Sequence, residues 1–255
     1  MGRFSLIAVL AVVVSGSAVV VAHAGQRDDA SLRHGGKTVA ISKVDKPPTL
    51  DGALDDQAWT VATPATGFVQ RDPHEGAAAT EATDVRVVSD GKNLFFGVRC
   101  ADGDPAAILS RELRRDDELA TDDTFAVILD TFHDHRNGFL FRINPRGAQF
   151  DAMITDEGRN INATWSEEWE VETRIDEQGW TAEIRIPLKA IRFAASDLRP
   201  PFGIDFERVI RRKNEQTYWN NYSRNYDFNQ LSRAGHLVGV EGLSAFVAAG
   251  NSRSV

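Results

Sequence analysis

The chain has 255 residues and a formal net charge of −8, with 42% hydrophobic and 26% charged residues. This composition is that of a globular protein with one large domain or two small ones. The negative charge, without a basic stripe, argues against a nucleic-acid partner. Cys100 is the only cysteine, which excludes a disulfide within the chain, and we expect it to be a small buried thiol.

The first 24 residues have the organisation of a secretory signal peptide. Arg3 supplies a positive start, residues 6–14 and 18–21 are apolar, and Ala22-His23-Ala24 provides a small-x-small cleavage site. The sequence therefore predicts an exported protein with a signal peptide over residues 1–24, and an uncleaved membrane anchor is the alternative.

From residue 38 to residue 113 the sequence predicts short elements separated by turn residues. Asp90-Gly91-Lys92-Asn93 between two apolar runs is typical of a hairpin turn, and Asp104-Pro105 is typical of a helix start. The predicted elements are, in order, a strand, a helical turn, a loop, the two strands of a hairpin and a short helix: Thr38–Ser42, Leu54–Trp59, Arg71–Thr83, Asp84–Ser89, Leu94–Ala101 and Asp104–Leu113.

The centre of the sequence is a predicted antiparallel hairpin. Its two apolar runs, Thr124–Leu129 and Phe139–Ile143, are joined by a polar loop that contains His133–Gly138. Every second residue of each run is a large apolar side chain, so we expect each strand to send one face to a core.

Further strands follow the central hairpin. They are predicted over Gln149–Thr155, Trp169–Ile175, Trp180–Ile186, Phe202–Ile210 and His236–Val240, with a polar loop over Asp156–Ser166. Many short strands with glycine-bearing turns and little helix indicate one all-β domain, an antiparallel β-sandwich, over residues 38–243. Residues 25–37 are predicted to be a flexible leader and residues 244–255 a C-terminal tail.

Four sequence blocks, in this order, resemble the motifs of carbohydrate-binding module family 9. They are LDGALDDQAW at residues 50–59, DTFAVILD at 123–130, FRIN at 141–144 and GWTAEIRIP at 179–187. The segment Asn144-Pro145-Arg146-Gly147 is similar to one branch, the amino-terminal domain of bacterial outer-membrane proteins with a C-terminal barrel-like domain of unknown function.

This resemblance implies a non-catalytic module that binds a saccharide or polysaccharide, accessory to glycoside hydrolysis by a linked or partner enzyme, in the periplasm or at the outer membrane. Arg142 and Asn225 match binding residues of the family, and Phe228 matches the second of two tryptophans that clamp the sugar. The first tryptophan corresponds to Ala120 and a binding glutamate to Ala126, so half of the clamp is missing.

The segment Thr217–Arg233 contains the types of side chain that sugar recognition needs. Flat aromatic faces contact the C–H groups of a sugar, and planar amide or guanidinium groups bond its hydroxyls. Trp219 and Tyr222 are candidates for the aromatic contacts, and Trp165, in a predicted loop, is a candidate replacement for the missing platform. The alternative is that Trp219 and Tyr222 pack the sandwich.

Metal or haem binding is a further hypothesis from the sequence. Acids such as Asp102 and Asp104 are candidate calcium ligands, although no twelve-residue calcium loop is present. His133 and His135 have the spacing of a metal-ligand pair, but no third ligand follows nearby in the sequence, which favours a hydrated loop. Met153 is a candidate axial ligand in a haem-binding redox subunit of the related sandwich type, against the alternative of core packing.

Two other functional classes are weighed against sugar binding. A glycosidase needs two carboxylates that face one cleft, and adjacent acids on a strand do not provide them because neighbouring side chains point to opposite faces. The second class is a structural or interaction domain that serves an outer-membrane barrel partner and has no affinity for sugars.

Overall fold

The computed structural model describes residues 36–191, 193, 201–220, 223–241 and 243. Within these residues the chain forms fourteen strands, the short α-helix α1 (Gln57–Thr60) and 3₁₀ turns at Pro105–Ala107, Arg211–Lys213 and Leu231–Arg233. The strands are β1 (Thr38–Ala40), β2 (Ser42–Lys43), β3 (Val69–Asp72), β4 (Thr83–Ser89), β5 (Asn93–Ala101), β6 (Thr124–Asp130), β7 (Gly138–Ile143), β8 (Gln149–Thr155), β9 (Asn160–Asn162), β10 (Glu170–Asp176), β11 (Gly179–Pro187), β12 (Phe202–Ile210), β13 (Glu215–Tyr218) and β14 (Gly235–Val238).

These strands form two sheets. One has nine strands in the order β1-β14-β12-β6-β7-β8-β9, and β13 extends it by pairing with β12 and β3. The other has five strands in the order β10-β11-β5-β4-β2. The described pairs are antiparallel except for β1 with β14 and β2 with β4. The predicted antiparallel β-sandwich is confirmed.

The core lies between the two sheets, and the central hairpin of β6 and β7 contributes its alternate residues to it. Phe206 on β12 connects the layers, with its ring centroid 5.9 Å from that of Phe125 and 6.3 Å from that of Phe96 in the opposite sheet. Such buried aromatic pairs add about 0.5–1.5 kcal/mol each beyond the burial of their area. Cys100 is buried as predicted, and this burial raises the pKa of its thiol to about 11.

The prediction of a helix over Asp104–Leu113 is wrong beyond the first turn. The 3₁₀ turn at Pro105–Ala107 is present, but later N–H groups of the segment bond to carboxylates. Arg111 N and Glu112 N both donate to Asp122 Oδ2 at 3.0 Å. Because these N–H groups are taken by a side chain, they do not bond to preceding carbonyl groups, and the helix ends.

Strand β9 lies within the predicted loop over Asp156–Ser166, and the second half of β3 overlaps the predicted loop over Arg71–Thr83. The three residues of β9 are all exposed, and β3 is made largely of polar residues. Neither segment has the alternation of apolar and polar side chains by which a half-buried strand is recognised.

The ends of the domain are only partly described. The predicted signal peptide, residues 1–24, and tail, residues 244–255, lie outside the described residues, as does most of the leader. At the end of that leader, Lys37 N donates to Asn220 Oδ1 at 2.7 Å, and Lys37 Nζ donates to Gly67 O at 2.6 Å. None of the helices in the described ranges has the length and apolarity that a membrane crossing needs.

Candidate functional site

One row of side chains crosses the outer face of the nine-stranded sheet, the face turned away from the core. The register pairs Phe150 with Arg142, Arg142 with Ala126, Ala126 with Glu207, and Glu207 with Tyr218. Directly paired residues of neighbouring strands point to the same face. The row therefore places a guanidinium and a carboxylate on either side of a single methyl group, with an aromatic ring at each end.

Arg142 and Glu207 form an ion pair in this row. Arg142 Nη2 donates to Glu207 Oε2 at 3.0 Å, and Gln216 Nε2 donates to Glu207 Oε1 at 2.6 Å. The Arg142 side chain is 22% exposed and that of Glu207 3%. Arg142 Nε is buried and has no hydrogen-bond partner among the described residues. The part of the guanidinium that a ligand can reach is therefore not Nε but the exposed fraction of the side chain.

Arg71 extends the polar contacts to the next strand. Its Nη1 donates to Gln216 Oε1 at 3.2 Å and to Asp72 Oδ2 at 2.7 Å. It also reaches the neighbouring loop, where Nε donates to Tyr226 O and Nη2 to Asp227 Oδ1, both at 3.4 Å. We call the connected side chains of Arg142, Glu207, Gln216 and Arg71 the Arg142 network.

The loop over residues 223–230 covers part of this face. Phe228 and Leu231 pack with Ala126 and Tyr218 in a second apolar cluster, outside the main core. The ring centroids of Phe228 and Tyr218 are 5.3 Å apart. Burial, with the nearby charge of Glu207, raises the pKa of the Tyr218 phenol, which is therefore neutral. The Arg142 network is thus bordered by aromatic rings that the loop holds in place.

This arrangement suits a neutral, polyhydroxylated ligand. Guanidinium, carboxylate and amide groups offer several donors and acceptors in fixed planes. The rings of Phe150, Tyr218 and Phe228 are 6%, 2% and 6% exposed, so they pack around the network rather than offer open faces. The groups already bond to one another, so a ligand hydroxyl can exchange with one of these contacts without leaving a buried charge unpaired.

Sequence comparison identifies the family of the chain. Residues 50–232 match the family described as carbohydrate family 9 binding domain-like. The chain belongs to this family. No curated protein sequence matches the chain significantly.

Solved structures of family 9 modules have the same fold. A family 9 module from Caldicellulosiruptor kristjanssonii in complex with cellotriose has a TM-score of 0.55 and 15% identity, covering 79% of this chain and 92% of that one. The same organism's family 9 module in complex with glucose gives 0.52 and 15%, over 79% and 94%. A candidate carbohydrate-binding protein from Bacteroides uniformis gives 0.62 and 12%, over 79% and 98%.

Three family-derived candidates lie on or beside the outer face. Arg142 is in the row itself, and Phe228 lies against it, with its ring 6% exposed and therefore not an open platform. Asn225 is exposed in the covering loop, where its N–H donates to Ser223 Oγ at 3.3 Å. Tyr222 lies outside the described residues.

Trp219 lies on the other side of the sheet from Arg142. It follows Tyr218 in sequence, and alternation along the strand turns the two rings to opposite faces. Trp219 is 2% exposed, and its ring centroid is 5.4 Å from that of Phe206 in the core. The alternative stated from the sequence, that Trp219 packs the sandwich, describes its position.

Trp165 also lies on the core side of the sheet. Its ring centroid is 5.0 Å from that of Phe139 and 6.0 Å from that of Phe141, both of which point inward from β7. Trp165 is partly buried against the main core. Because Arg142 points outward from the same strand, the structure does not bring Trp165 to it.

The sequence patterns do not mark Glu207, Gln216 or Arg71 as candidate site residues. A signal for Glu207 was present, because Phe206 alternates inward on β12 and its neighbour must face outward. Arg71 and Gln216 gave no such signal, since β3 and β13 are short and polar.

The residues considered for calcium and haem have other contacts. Asp102 accepts hydrogen bonds from both terminal nitrogens of Arg212, at 2.5 and 2.8 Å. Burial raises the pKa of Asp102, but these bonds and that from Asp104 N outweigh it and leave the pKa lowered. Met153 is partly buried against the main core. Calcium and haem binding stay hypotheses from the sequence.

Proposed function

We propose that this chain is a non-catalytic module that binds a saccharide at the Arg142 network. The observation that carries the proposal is the cross-strand row in which Arg142 and Glu207 form an ion pair beside Gln216, between the rings of Phe150 and Tyr218. Family membership and the cellotriose and glucose complexes of similarly folded modules support a sugar as the ligand.

The row suggests how the module compensates for the departure from the family motif at Ala126. The glutamate expected there is absent, but Glu207 lies directly across from Ala126 on β12. A carboxylate from the neighbouring strand thus faces Arg142 across the alanine methyl. In this proposal Glu207 takes the place of the missing glutamate, and Asn225 and Tyr226 approach the sugar from the covering loop.

Export and an accessory role complete the proposal. The signal-peptide pattern of residues 1–24 supports secretion, and the similarity of Asn144–Gly147 to outer-membrane proteins supports a periplasmic or outer-membrane location. The module would then hold a polysaccharide for a linked or partner enzyme that cleaves glycosidic bonds.

The test is binding of the purified chain to a glycan array, followed by calorimetry on the sugars that it retains. We expect Gln216→Ala and Arg142→Ala to weaken binding by about 1–3 kcal/mol, the cost of a lost hydrogen bond to a charged group. Arg159→Ala is the matched control, because Arg159 is 79% exposed and pairs with Asp156 away from the network.

Two outcomes would contradict sugar binding at this site. Absence of binding to every glycan by the folded chain would reject the ligand class and favour the interaction role with a barrel partner. Retained binding by the Gln216 and Arg142 variants, with folding confirmed by thermal denaturation, would reject the site but keep the ligand.

A further inference from the structure

The end of β6 and the loop after it bring three potential metal ligands together. Asp130, His133 and His135 each offer one ligand atom, and these atoms all lie within 4.8 Å of one another. Asp130 is fully buried, and both histidines are partly buried. The sequence shows the two histidines as a pair without a third ligand, and folding supplies it from the strand that precedes them.

A fourth candidate ligand comes from β14. The register pairs Asp130 with Gly203 and Gly203 with His236, so Asp130 and His236 lie on the same face of the sheet with a glycine between them. The ring centroids of His133 and His236 are 6.1 Å apart, and those of His133 and His135 are 4.6 Å apart. His133 and His135 thus lie beside Asp130, and His236 lies next to His133 on the same face.

Gly203 keeps this place open. A Cβ at residue 203 would lie 3.0 Å from Asp130 Cβ and 3.5 Å from Asp130 Oδ2, tighter than ordinary packing at the first of these contacts. A side chain there would occupy the space between the carboxylate and His236. The glycine therefore leaves the Asp130 carboxylate uncrowded on the side of the sheet that faces β14.

The loop holds the carboxylate in a fixed orientation. His135 N donates to Asp130 Oδ2 at 2.8 Å, and Asp134 N donates to Asp130 Oδ1 at 3.3 Å. Asp134 Oδ1 in turn accepts hydrogen bonds from Arg136 N and Asn137 N, both at 2.8 Å. Such hydrogen bonds around the ligands orient them and are part of metal sites in proteins.

We propose that Asp130, His133, His135 and His236 form a site for a divalent transition-metal ion of the zinc type. Imidazole nitrogens with one carboxylate oxygen are the donors that such ions prefer, whereas calcium and magnesium prefer oxygen alone. Tetrahedral zinc ligands about 2.1 Å from the ion lie about 3.4 Å from one another. His135 Nδ1 is 3.8 Å from Asp130 Oδ2, close to this separation. In the proposal, rotation of the imidazoles of His133 and His236 brings their nitrogens to the same ion.

The metal site and the Arg142 network are separate regions of the same face. Asp130 follows Ala126 by four residues on β6, which is about 13 Å along the strand. The metal would tie the loop after β6 to β14 at the end of the sheet. The two proposals therefore stand or fall independently.

The test is calorimetric titration of the full-length chain with ZnCl₂ after removal of metal by a chelator. We expect one equivalent to bind, with at least tenfold weaker affinity in His133→Ala, His135→Ala and His236→Gln. His74→Ala is the matched control, because His74 is exposed on another part of the surface. The zinc affinity of this variant should equal that of the unmodified chain. Saturating zinc should raise the melting temperature of the control but not of a His133→Ala/His135→Ala double variant.

Cobalt substitution identifies the donors directly. Co²⁺ in the unmodified chain should give the intense visible bands of a four-coordinate site with nitrogen and oxygen ligands, and the double variant should lack them. Absence of stoichiometric zinc binding, or equal affinity in the double variant, would overturn the proposal. Unchanged affinity in His236→Gln would overturn the four-ligand form.

Discussion

Glu183 and Glu207 are both buried on the outer face of a sheet, but they are held in different ways. Glu183, on the five-stranded sheet, accepts hydrogen bonds from Asp51 N at 2.8 Å, Gly52 N at 2.9 Å and Trp59 Nε1 at 2.8 Å. Its donors belong to the segment that covers the sheet. Glu207, on the nine-stranded sheet, is held by the side chains of Arg142 and Gln216.

This difference separates a face held by backbone donors from a face held by side chains, and the second is the proposed binding face. Trp59 lies so close to Gly97 that a Cβ at residue 97 would be 2.8 Å from the indole ring. The segment from residue 50 to residue 59 is thus a cover fixed by backbone donors and an indole. On the other sheet, the contacts to Glu207 are made by the side chains of Arg142 and Gln216, which in the proposed function exchange partners with a ligand. The comparison predicts large stability effects at the first face and small ones at the second.

The largest expected effect is that of Trp59→Ala. The indole is 2% exposed and donates to Glu183, so its removal leaves a cavity and an unpaired acceptor. We expect the free energy of unfolding to fall by about 3–5 kcal/mol, measured by chemical denaturation. Val61→Ala, at a nearby residue that is 56% exposed, should change it by less than about 0.5 kcal/mol. Equal effects of the two substitutions would show that Trp59 does not fix the cover.

Glu183→Gln should have the next largest effect. The side-chain amide of the glutamine would turn its NH₂ group towards at least one of the three N–H donors. At least one hydrogen bond is then lost, and its donor is left buried without an acceptor. We expect a loss of about 1–3 kcal/mol at pH 7, measured by chemical denaturation. A variant as stable as the unmodified chain would mean that the three donors find other acceptors.

The pH dependence of this variant tests the burial of the carboxyl group. Burial raises the pKa of Glu183, and the three N–H donors offset this only in part. A raised pKa in the folded state gives stability that is complete below the unfolded pKa of about 4.3 and is lost as pH rises through the folded pKa. The stability advantage of the unmodified chain over Glu183→Gln should therefore grow as pH falls from 7 towards 4. An advantage that shrinks over this range would indicate a carboxylate stabilised by its donors.

The sequence predicts the sandwich because its signals are local. The alternation in Thr124–Leu129 and Phe139–Ile143 defines the inward face, and the turn residues between strands define the hairpins. Arg142 follows from the family motif. Its partner Glu207 lies 65 positions away in sequence and meets it only because β12 pairs with β6.

Sites that depend on strand order are beyond such local signals. β12 lies between β6 and β14 in the sheet, and its residue between Asp130 and His236 is Gly203, which has no side chain. His236 can therefore approach His133. Arg71 reaches Gln216 because β3 pairs with β13, and β3 has no apolar alternation that would mark it as a strand. In both places the chemistry depends on long-range pairing, whereas the residues themselves look like those of ordinary polar loops.

Among the substitutions at buried or networked side chains, the smallest stability effect is expected at Gln216. Its side chain donates to Glu207 Oε1 and accepts from Arg71 Nη1, and it is only partly buried, so water can replace both contacts after Gln216→Ala. We expect the free energy of unfolding to fall by no more than about 1 kcal/mol, within the usual range for one net hydrogen bond. Chemical denaturation of this variant beside Glu183→Gln makes the comparison directly. A loss at Gln216 as large as that at Glu183 would mean that the Arg142 network stabilises the fold as firmly as the cover of the five-stranded sheet. The contrast between the two outer faces would then fail.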